Sequence, residues 1–464
     1  MKVILLDSPS WRLWNPRLHV SLALIYLAGS LRAAGHNVQI LDCHELTSWD
    51  GQRLTIHEDR LEPCDVLGIS ATTANVYWGS ELATVWKGAR IKILGGPHVT
   101  HILRGSHQRF KQAKYFRGFD YLMVGEAEHS LVRFCDQLDR RSPCVGIPGL
   151  AFNDSQQIYG PYAEPETPEI TALSAPAFDL WPSFSRGALS VTSFVGKQVD
   201  ADKRRSSSIC TSRGCPYGCL FCADARTRVR LETLGQITRQ VKQLAELGVS
   251  AVRIQDDTFT IHEQRAKDIA DILYDHGMIW RAMTRVNLTN PAFFEYMARK
   301  GCTELGFGIE HGSARMLRAM GKGTTPEANA RSIRDCQDAG IVAHAFLIIG
   351  FPGETLETVE EMRTWIQSVK PESCTLSLFQ PYPGCDVWNR PEVYGVKISD
   401  GDFERYWEVG RDDDPEIVVC EIPTMTRRQL FDARCEMAEW VDQNIAPLDR
   451  MVRKQESLCA VSAS

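Results

Sequence analysis

The sequence has no apolar run near the roughly 20 residues needed to span a bilayer. It opens directly on Val3-Ile4-Leu5-Leu6, a buried-strand pattern with no signal peptide before it. Neither a membrane anchor nor export is expected, and a cytoplasmic location follows. There is no basic excess: 52 Lys and Arg stand against 58 Asp and Glu, for a net charge of −6. Nucleic acid and membrane surfaces are therefore not expected partners. No low-complexity segment and no internal repeat is present. Among 15 cysteines there is no second C-x2-C pair of the kind that structural zinc sites use. An odd cysteine count without an export signal also argues against a disulfide scaffold, which leaves reduced thiols or metal ligands.

What is present is a globular composition over 464 residues. A single core rarely grows beyond about 250–300 residues, so more than one domain is expected. Residues 1–140 alternate continuous apolar runs (Val3–Leu6, Val38–Leu41, Val66–Ile69, Ile91–Leu94, Tyr121–Val124) with helical patterns such as Leu22–Leu31 and Val76–Ala89. Strands apolar on both faces belong to a covered parallel sheet. A five-stranded doubly wound, Rossmann-like α/β domain is predicted, with its ligand at the carboxyl ends of the strands. Residues 141–205 are rich in Pro, Ser and Gly and read as a linker with some strand content, closed by Lys203-Arg204-Arg205 in a solvated loop.

A second alternation runs over 206–385. Its strands are Ser208–Thr211, Ala251–Ile254, Ile279–Met283, Glu304–Ile309, Ala343–Ile349 and Thr375–Leu378, with a helical pattern after each of the first five. Six such units predict a partial (β/α)6 TIM barrel with its chemistry at the carboxyl ends. Residues 386–464 form a small C-terminal region with one helical pattern near Met425–Trp440.

Eleven cysteines are scattered singly and read as small buried hydrophobes. The other four fall in Cys210-Thr-Ser-Arg-Gly-Cys215-Pro-Tyr-Gly-Cys219-Leu-Phe-Cys222. The spacing C-x3-C-x2-C lets one loop supply three thiolates to a four-iron cluster and leaves one iron open to a chelating small molecule. Gly214 and Gly218 let the backbone approach the sulfurs. Zinc is the rival, with Cys210 as a fourth ligand, but Cys210 falls on a predicted strand and reads as a barrel-lining thiol.

With an aromatic, Phe221, before its last cysteine, this motif resembles the signature of the radical S-adenosylmethionine (SAM) superfamily. The resemblance continues in order along the barrel: Ile254-Gln255-Asp256-Asp257-Thr258-Phe259, Trp280-Arg281-Ala282-Met283-Thr284-Arg285, Gly306-Phe307-Gly308-Ile309-Glu310-His311-Gly312, Phe346 to Glu354, and Pro381-Tyr382-Pro383-Gly384. In residues 1–140, the strand ends Ser70-Ala71-Thr72-Thr73, Gly95-Gly96-Pro97-His98 and Gly125-Glu126-Ala127-Glu128 resemble the cobalamin-binding domain that precedes many such barrels. The D-x-H-x-x-G motif, whose histidine serves as the cobalt's lower ligand, is missing. Asp42-Cys43-His44-Glu45-Leu46-Thr47 is a near miss that follows the second strand, not the first, and His44 reads as a loop residue. Two states stay open: cobalamin bound without a histidine ligand, or its place filled by Trp11, Trp14 and Trp78.

The resemblance implies a 4Fe-4S cluster on Cys215, Cys219 and Cys222. SAM would chelate the open iron and be reductively cleaved to a 5′-deoxyadenosyl radical that takes hydrogen from a substrate carbon. It also implies an external one-electron donor such as a flavodoxin or ferredoxin. Asp256 or Asp257 is the candidate for SAM's ammonium and Glu310 for its ribose hydroxyls. Arg285 is the candidate for its carboxylate, unless it forms a structural ion pair. Thr72, Gly95 and Gly96 are candidates for the cobalamin side. Tyr217 is the candidate catalytic proton donor or acceptor, with packing against the cluster as its other role. His98 and His311 are acid–base candidates or plain loop residues.

Three outcomes fit the resemblance. The compact chain and the tryptophan-rich first domain resemble the radical SAM diol dehydratases of aminoglycoside biosynthesis. Such a lyase would take a cationic sugar, which the acidic strand ends and the net charge of −6 suit. A cobalamin-dependent C-methyltransferase and a radical ring closure or contraction are the alternatives. A non-catalytic cobalamin or redox sensor is a further one, although an electron-transfer module normally carries four cysteines.

Overall fold

The computed structural model describes residues 1–10, 20–50, 53–105, 113–154, 157–182, 205–399, 403–406 and 415–445. Trp11, Trp14, Lys203, Arg204 and Cys459 lie outside the described residues. The first domain is built on β1 (Lys2–Asp7), β2 (Asn37–Ile40), β3 (Cys64–Ser70), β4 (Ala89–Gly95) and β5 (Tyr121–Met123). They pair in parallel in the order 2-1-3-4-5. This is a doubly wound order whose direction reverses between β1 and β3, and such sheets bind ligands outside their carboxyl ends. The continuous apolar runs have the expected cause: Val3, Ile4, Leu5, Val66 and Leu67 are buried between helices on both faces.

Two findings adjust the sequence reading. Within 141–205, β6 (Leu150–Asn153) and β7 (Ile158–Tyr159) add two antiparallel strands beyond β5, so the sheet has seven strands. The pattern at Val76–Ala89 is a helix only as far as Val85. Trp86 is fully buried and its indole donates to Glu62 O at 2.9 Å, which turns the chain into β4.

The second domain carries β8 (Arg205–Ile209), β9 (Val249–Ile254), β10 (Ile279–Thr284), β11 (Cys302–Glu310), β12 (Val342–Ile349) and β13 (Ser373–Leu378). They form one parallel sheet in chain order with β8 and β13 as its edges, an open barrel. β8 stops at Ile209. Cys210 is therefore not on a strand, as expected from the sequence, but just past its carboxyl end. The helices between the strands start at side-chain caps. Thr233 and Gln236 form a capping box, and Asn290 and Thr325 cap helices that begin Pro291 and Pro326. Each cap is worth about 1 kcal/mol, and proline fits the first helical position because its missing N–H has no partner there. The C-terminal helix Arg427–Asn444 packs Leu430, Phe431, Met437 and Val441 against β13 and the helix Leu356–Val369. Among the described residues, no helix is long and apolar enough to cross a membrane.

Candidate active site between the two domains

The carboxyl ends of both sheets face one cavity of about 830 Å³. Gly68, Ser70, Gly95 and Gly96 line it from the first domain, and Cys210, Gly214 and Asp257 line it from the barrel. A side chain on Gly95 would meet only Met123 O, at 3.8 Å, so the strand end is left open toward the cavity.

The domains are joined by buried polar contacts that sequence reasoning missed. Arg213, two residues before Cys215, bridges Glu126 at 2.7 Å and Glu128 at 2.8 Å. Arg230 also reaches Glu126, at 2.9 Å. The Tyr26 hydroxyl donates to Glu232 Oε1 at 2.6 Å. The available signal was an arginine just ahead of the cysteine motif and glutamates in the Gly125-Glu126-Ala127-Glu128 turn, but no local pattern pairs them.

The cysteine loop closes on itself. Gly214 has φ of +97°, and a Cβ there would lie 2.3 Å from Arg228 O, so only glycine fits that approach. The Cys215 N–H donates to Thr227 Oγ1 at 2.8 Å, and Arg226 N–H donates to Tyr217 O at 2.8 Å. Leu220 N–H donates to Met320 O at 3.0 Å, which ties the loop to the segment after β11. Cys219 is buried, and Cys215 and Cys222 are half-buried. Among the described residues, the one group of three whose ligand atoms all lie within 4.8 Å of one another is Asp42, Cys43 and His44. The three loop thiols come from one short loop, as a cluster of several irons requires. Burial pushes the Cys222 thiol up to about 12 without a metal.

Tyr217, Arg285 and Glu310 form one chain of contacts. The Arg285 guanidinium lies 4.1 Å from the Tyr217 ring centroid. Its Nη1 donates to Cys219 Sγ at 3.5 Å, and its Nη2 donates to Lys322 O. Lys322 Nζ bonds Glu310 Oε1 at 2.6 Å, and both residues are buried. Glu310 has φ of +64°, a left-handed conformation costly for a residue with a Cβ and frequent at functional sites. Sequence reasoning missed Lys322, which the flanking Gly321 and Gly323 could have flagged.

The two neighbouring aspartates differ. Asp256 is buried and accepts four hydrogen bonds: from the N–H groups of Thr211 (2.6 Å) and Ser212 (3.0 Å), and from their hydroxyls. It anchors the chain between β8 and the cysteine loop. Asp257 accepts from Gly214 N at 3.0 Å and opens onto the cavity. Desolvation by the surrounding protein, with Asp224 nearby, pushes its carboxyl up to about 6.

Other sequence candidates stand elsewhere. Thr72 is exposed in a turn held by Asn75 Oδ1, 2.8 Å from its N–H, and does not line the cavity. Trp78, expected beside the cofactor, sits in the helix Val76–Val85 with its ring 5.4 Å from that of Trp49, and it too is not in the cavity lining. Its apolar bulk is taken up by tertiary packing. His98 is fully buried, contacts Thr73 Oγ1 at 3.3 Å, and is held down to about 3 by desolvation. His311 accepts from Ser313 N at 2.9 Å and lies 3.2 Å from Glu354, both fully buried. His44 faces Asp42 Oδ1 at 3.1 Å and accepts from Ser10 N at 3.3 Å.

Family models match in the same two places: the radical SAM superfamily over residues 209–366 and the B12 binding domain over residues 17–134. The chain is a radical SAM enzyme with a B12-binding domain ahead of its barrel. A 4Fe-4S cluster and SAM are the cofactors that come with the barrel. This radical SAM enzyme is 28% identical over 378 residues to an uncharacterized methyltransferase of Pyrococcus horikoshii, covering 79% of this chain and 77% of that one. It is 26% identical over 399 residues to an anaerobic magnesium-protoporphyrin IX monomethyl ester cyclase of Rubrivivax gelatinosus, covering 82% and 67%. Its fold matches the radical SAM methyltransferase TsrM from Kitasatospora setae, solved with cobalamin and a 4Fe-4S cluster, with a TM-score of 0.64, 21% identity and coverage of 86% and 77%.

Proposed function

We propose that this radical SAM enzyme is a cobalamin-dependent methyltransferase acting on an organic small molecule. One observation carries the reading: a single cavity is walled by the glycine-lined strand ends of the B12-binding domain and by the residues that lead into the cysteine loop. Similarity to a methyltransferase over most of both chains supports it. The diol dehydratase expectation has less support, because Trp78 packs against Trp49 and does not fill the cavity. The lining also mixes four arginines (Arg104, Arg213, Arg228, Arg230) with five carboxylates (Glu126, Glu128, Glu166, Asp224, Asp257), so it does not single out a cationic sugar.

The residues fit both groups. Cys215, Cys219 and Cys222 would hold the cluster, which when bound supplies the electron that breaks a carbon–sulfur bond of SAM. Gly95, where a side chain would meet only Met123 O at 3.8 Å, leaves room for cobalamin, which when bound supplies a carrier for a methyl group. Among the described residues, no histidine lies in that wall apart from His101, on the helix Pro97–Arg104, so cobalamin would sit without a ligand from a D-x-H-x-x-G loop. Asp257, open to the cavity, is the acidic group available to SAM's ammonium, while Asp256 is engaged in holding the loop. Arg213 and Arg230 hold the walls together through Glu126. Electrons would come from an external flavodoxin or ferredoxin.

The test is anaerobic reconstitution with iron, sulfide and hydroxocobalamin, followed by SAM and a low-potential reductant. Methyl donation leaves S-adenosylhomocysteine, so this product beside 5′-deoxyadenosine, dependent on cobalamin, is the expected result. Formation of 5′-deoxyadenosine alone, without cobalamin uptake, would return the reading to a dehydratase or other radical lyase.

A further inference from the structure

We propose that Arg285 sets the reduction potential of the iron–sulfur cluster, acting on it through Cys219 and not only on SAM. Three observations carry this. The guanidinium donates through Nη1 to Cys219 Sγ at 3.5 Å. Cys219 is the most buried of the three loop cysteines, so the contact lies in a low-dielectric setting where a charged donor acts most strongly. The guanidinium is also fixed: Nη2 donates to Lys322 O, Nε donates to Asn287 Oδ1 at 3.4 Å, and the Tyr217 ring stacks on it at 4.1 Å. A cation over an aromatic face is attracted by the ring and shielded from water by it.

The loop that holds Arg285 also holds the cysteines. Met320 O accepts from Leu220 N–H at 3.0 Å, two residues before Lys322 O accepts from Arg285. Gly321 lies so close that a Cβ there would stand 3.2 Å from Gly218 O. The segment 320–323 therefore clamps the cysteine loop and the guanidinium in one register. Taking one electron from a low-potential donor adds one negative charge to the cluster, and no bond at Arg285 changes. A cation donating to a cluster sulfur stabilises the reduced, more negative state and raises the potential. Arg285 is thus a positioning residue that makes the cluster easier to reduce. Tyr217 acts with it by orienting the guanidinium.

The inference rests on Cys219 as an iron ligand and is independent of whether the reaction is methyl transfer. The experiment is an EPR-monitored redox titration of the reconstituted full chain without SAM, on wild type, Arg285→Met and Arg285→Lys, each with its iron content measured. Arg285→Met with full iron is expected to shift the midpoint to more negative potential, and Arg285→Lys to shift it less. A residue that served SAM's carboxylate alone would leave the SAM-free midpoint unmoved, so equal midpoints overturn the proposal. If Arg285→Met does not load iron, Arg285→Gln against Arg285→Lys carries the test, and equal midpoints in that pair overturn it. Cys219→Ala that keeps full iron would sink the ligand assignment instead.

Discussion

The hydroxyl of Tyr26, in a helix of the B12-binding domain, donates a 2.6 Å hydrogen bond to Glu232 of the barrel domain, 206 residues away in the sequence. Glu232 also accepts from Gln240, and burial raises its carboxyl above the ordinary value. Tyr26→Phe removes one donor and leaves a buried carboxylate oxygen short of a partner, a change that costs about 1–3 kcal/mol. Urea unfolding of Tyr26→Phe, Glu232→Gln and the double variant checks this. The double variant is expected to lose less than the sum of the two singles, because they share one contact.

Cluster ligation separates the four neighbouring thiols. Alanine at Cys215, Cys219 or Cys222 is expected to abolish the iron–sulfur absorption and all SAM cleavage. Cys210→Ala is expected to keep both. Cys210 lies past β8, donates to Ser212 O at 3.0 Å and lines the cavity apart from the loop turn. Loss of iron in Cys210→Ala would show a fourth ligand.

Cobalamin uptake is predicted to depend on Gly95. A side chain there meets only Met123 O, at 3.8 Å, so Gly95→Val should fold and should occupy space in the cavity. Reconstituted Gly95→Val is expected to keep its iron and its melting temperature while binding cobalamin at least tenfold more weakly, a loss of about 1.4 kcal/mol. Unchanged uptake would place the cofactor elsewhere.

Acid sensitivity should trace in part to His344. Its ring lies in the barrel between Ser373 Oγ at 2.8 Å and Thr375 Oγ1 at 2.9 Å. Burial, helped by Arg281 and Arg253, lowers it from 6.5 to about 3. Between those values the unfolded chain takes up a proton that the folded chain refuses. Stability is therefore full above the unfolded value and falls as pH drops through the window, by roughly 1 kcal/mol per pH unit. His344→Gln is expected to be less stable near pH 7 yet to show a shallower loss toward pH 5 in anaerobic urea titrations. A parallel loss in both proteins would assign the acid sensitivity to other groups, His98 among them.

The two α/β layers and the cluster loop are legible in the residue order. Short apolar runs such as Val66–Ile69, alternating with helical patterns, mark strands covered on both faces, and C-x3-C-x2-C places three sulfurs on one short loop. Both signals are local, carried within a few residues. The tertiary structure alone decided which polar groups are free to act. Asp256 and Asp257 are adjacent in sequence, yet one is bound four ways by Thr211 and Ser212 and the other faces the cavity. Arg285 turns to Cys219, Lys322 reaches Glu310, and Arg213 crosses to Glu126. These pairings join residues from 12 to 87 positions apart. They exist because burial forces each charged group to find a partner, and packing, not sequence proximity, supplies it.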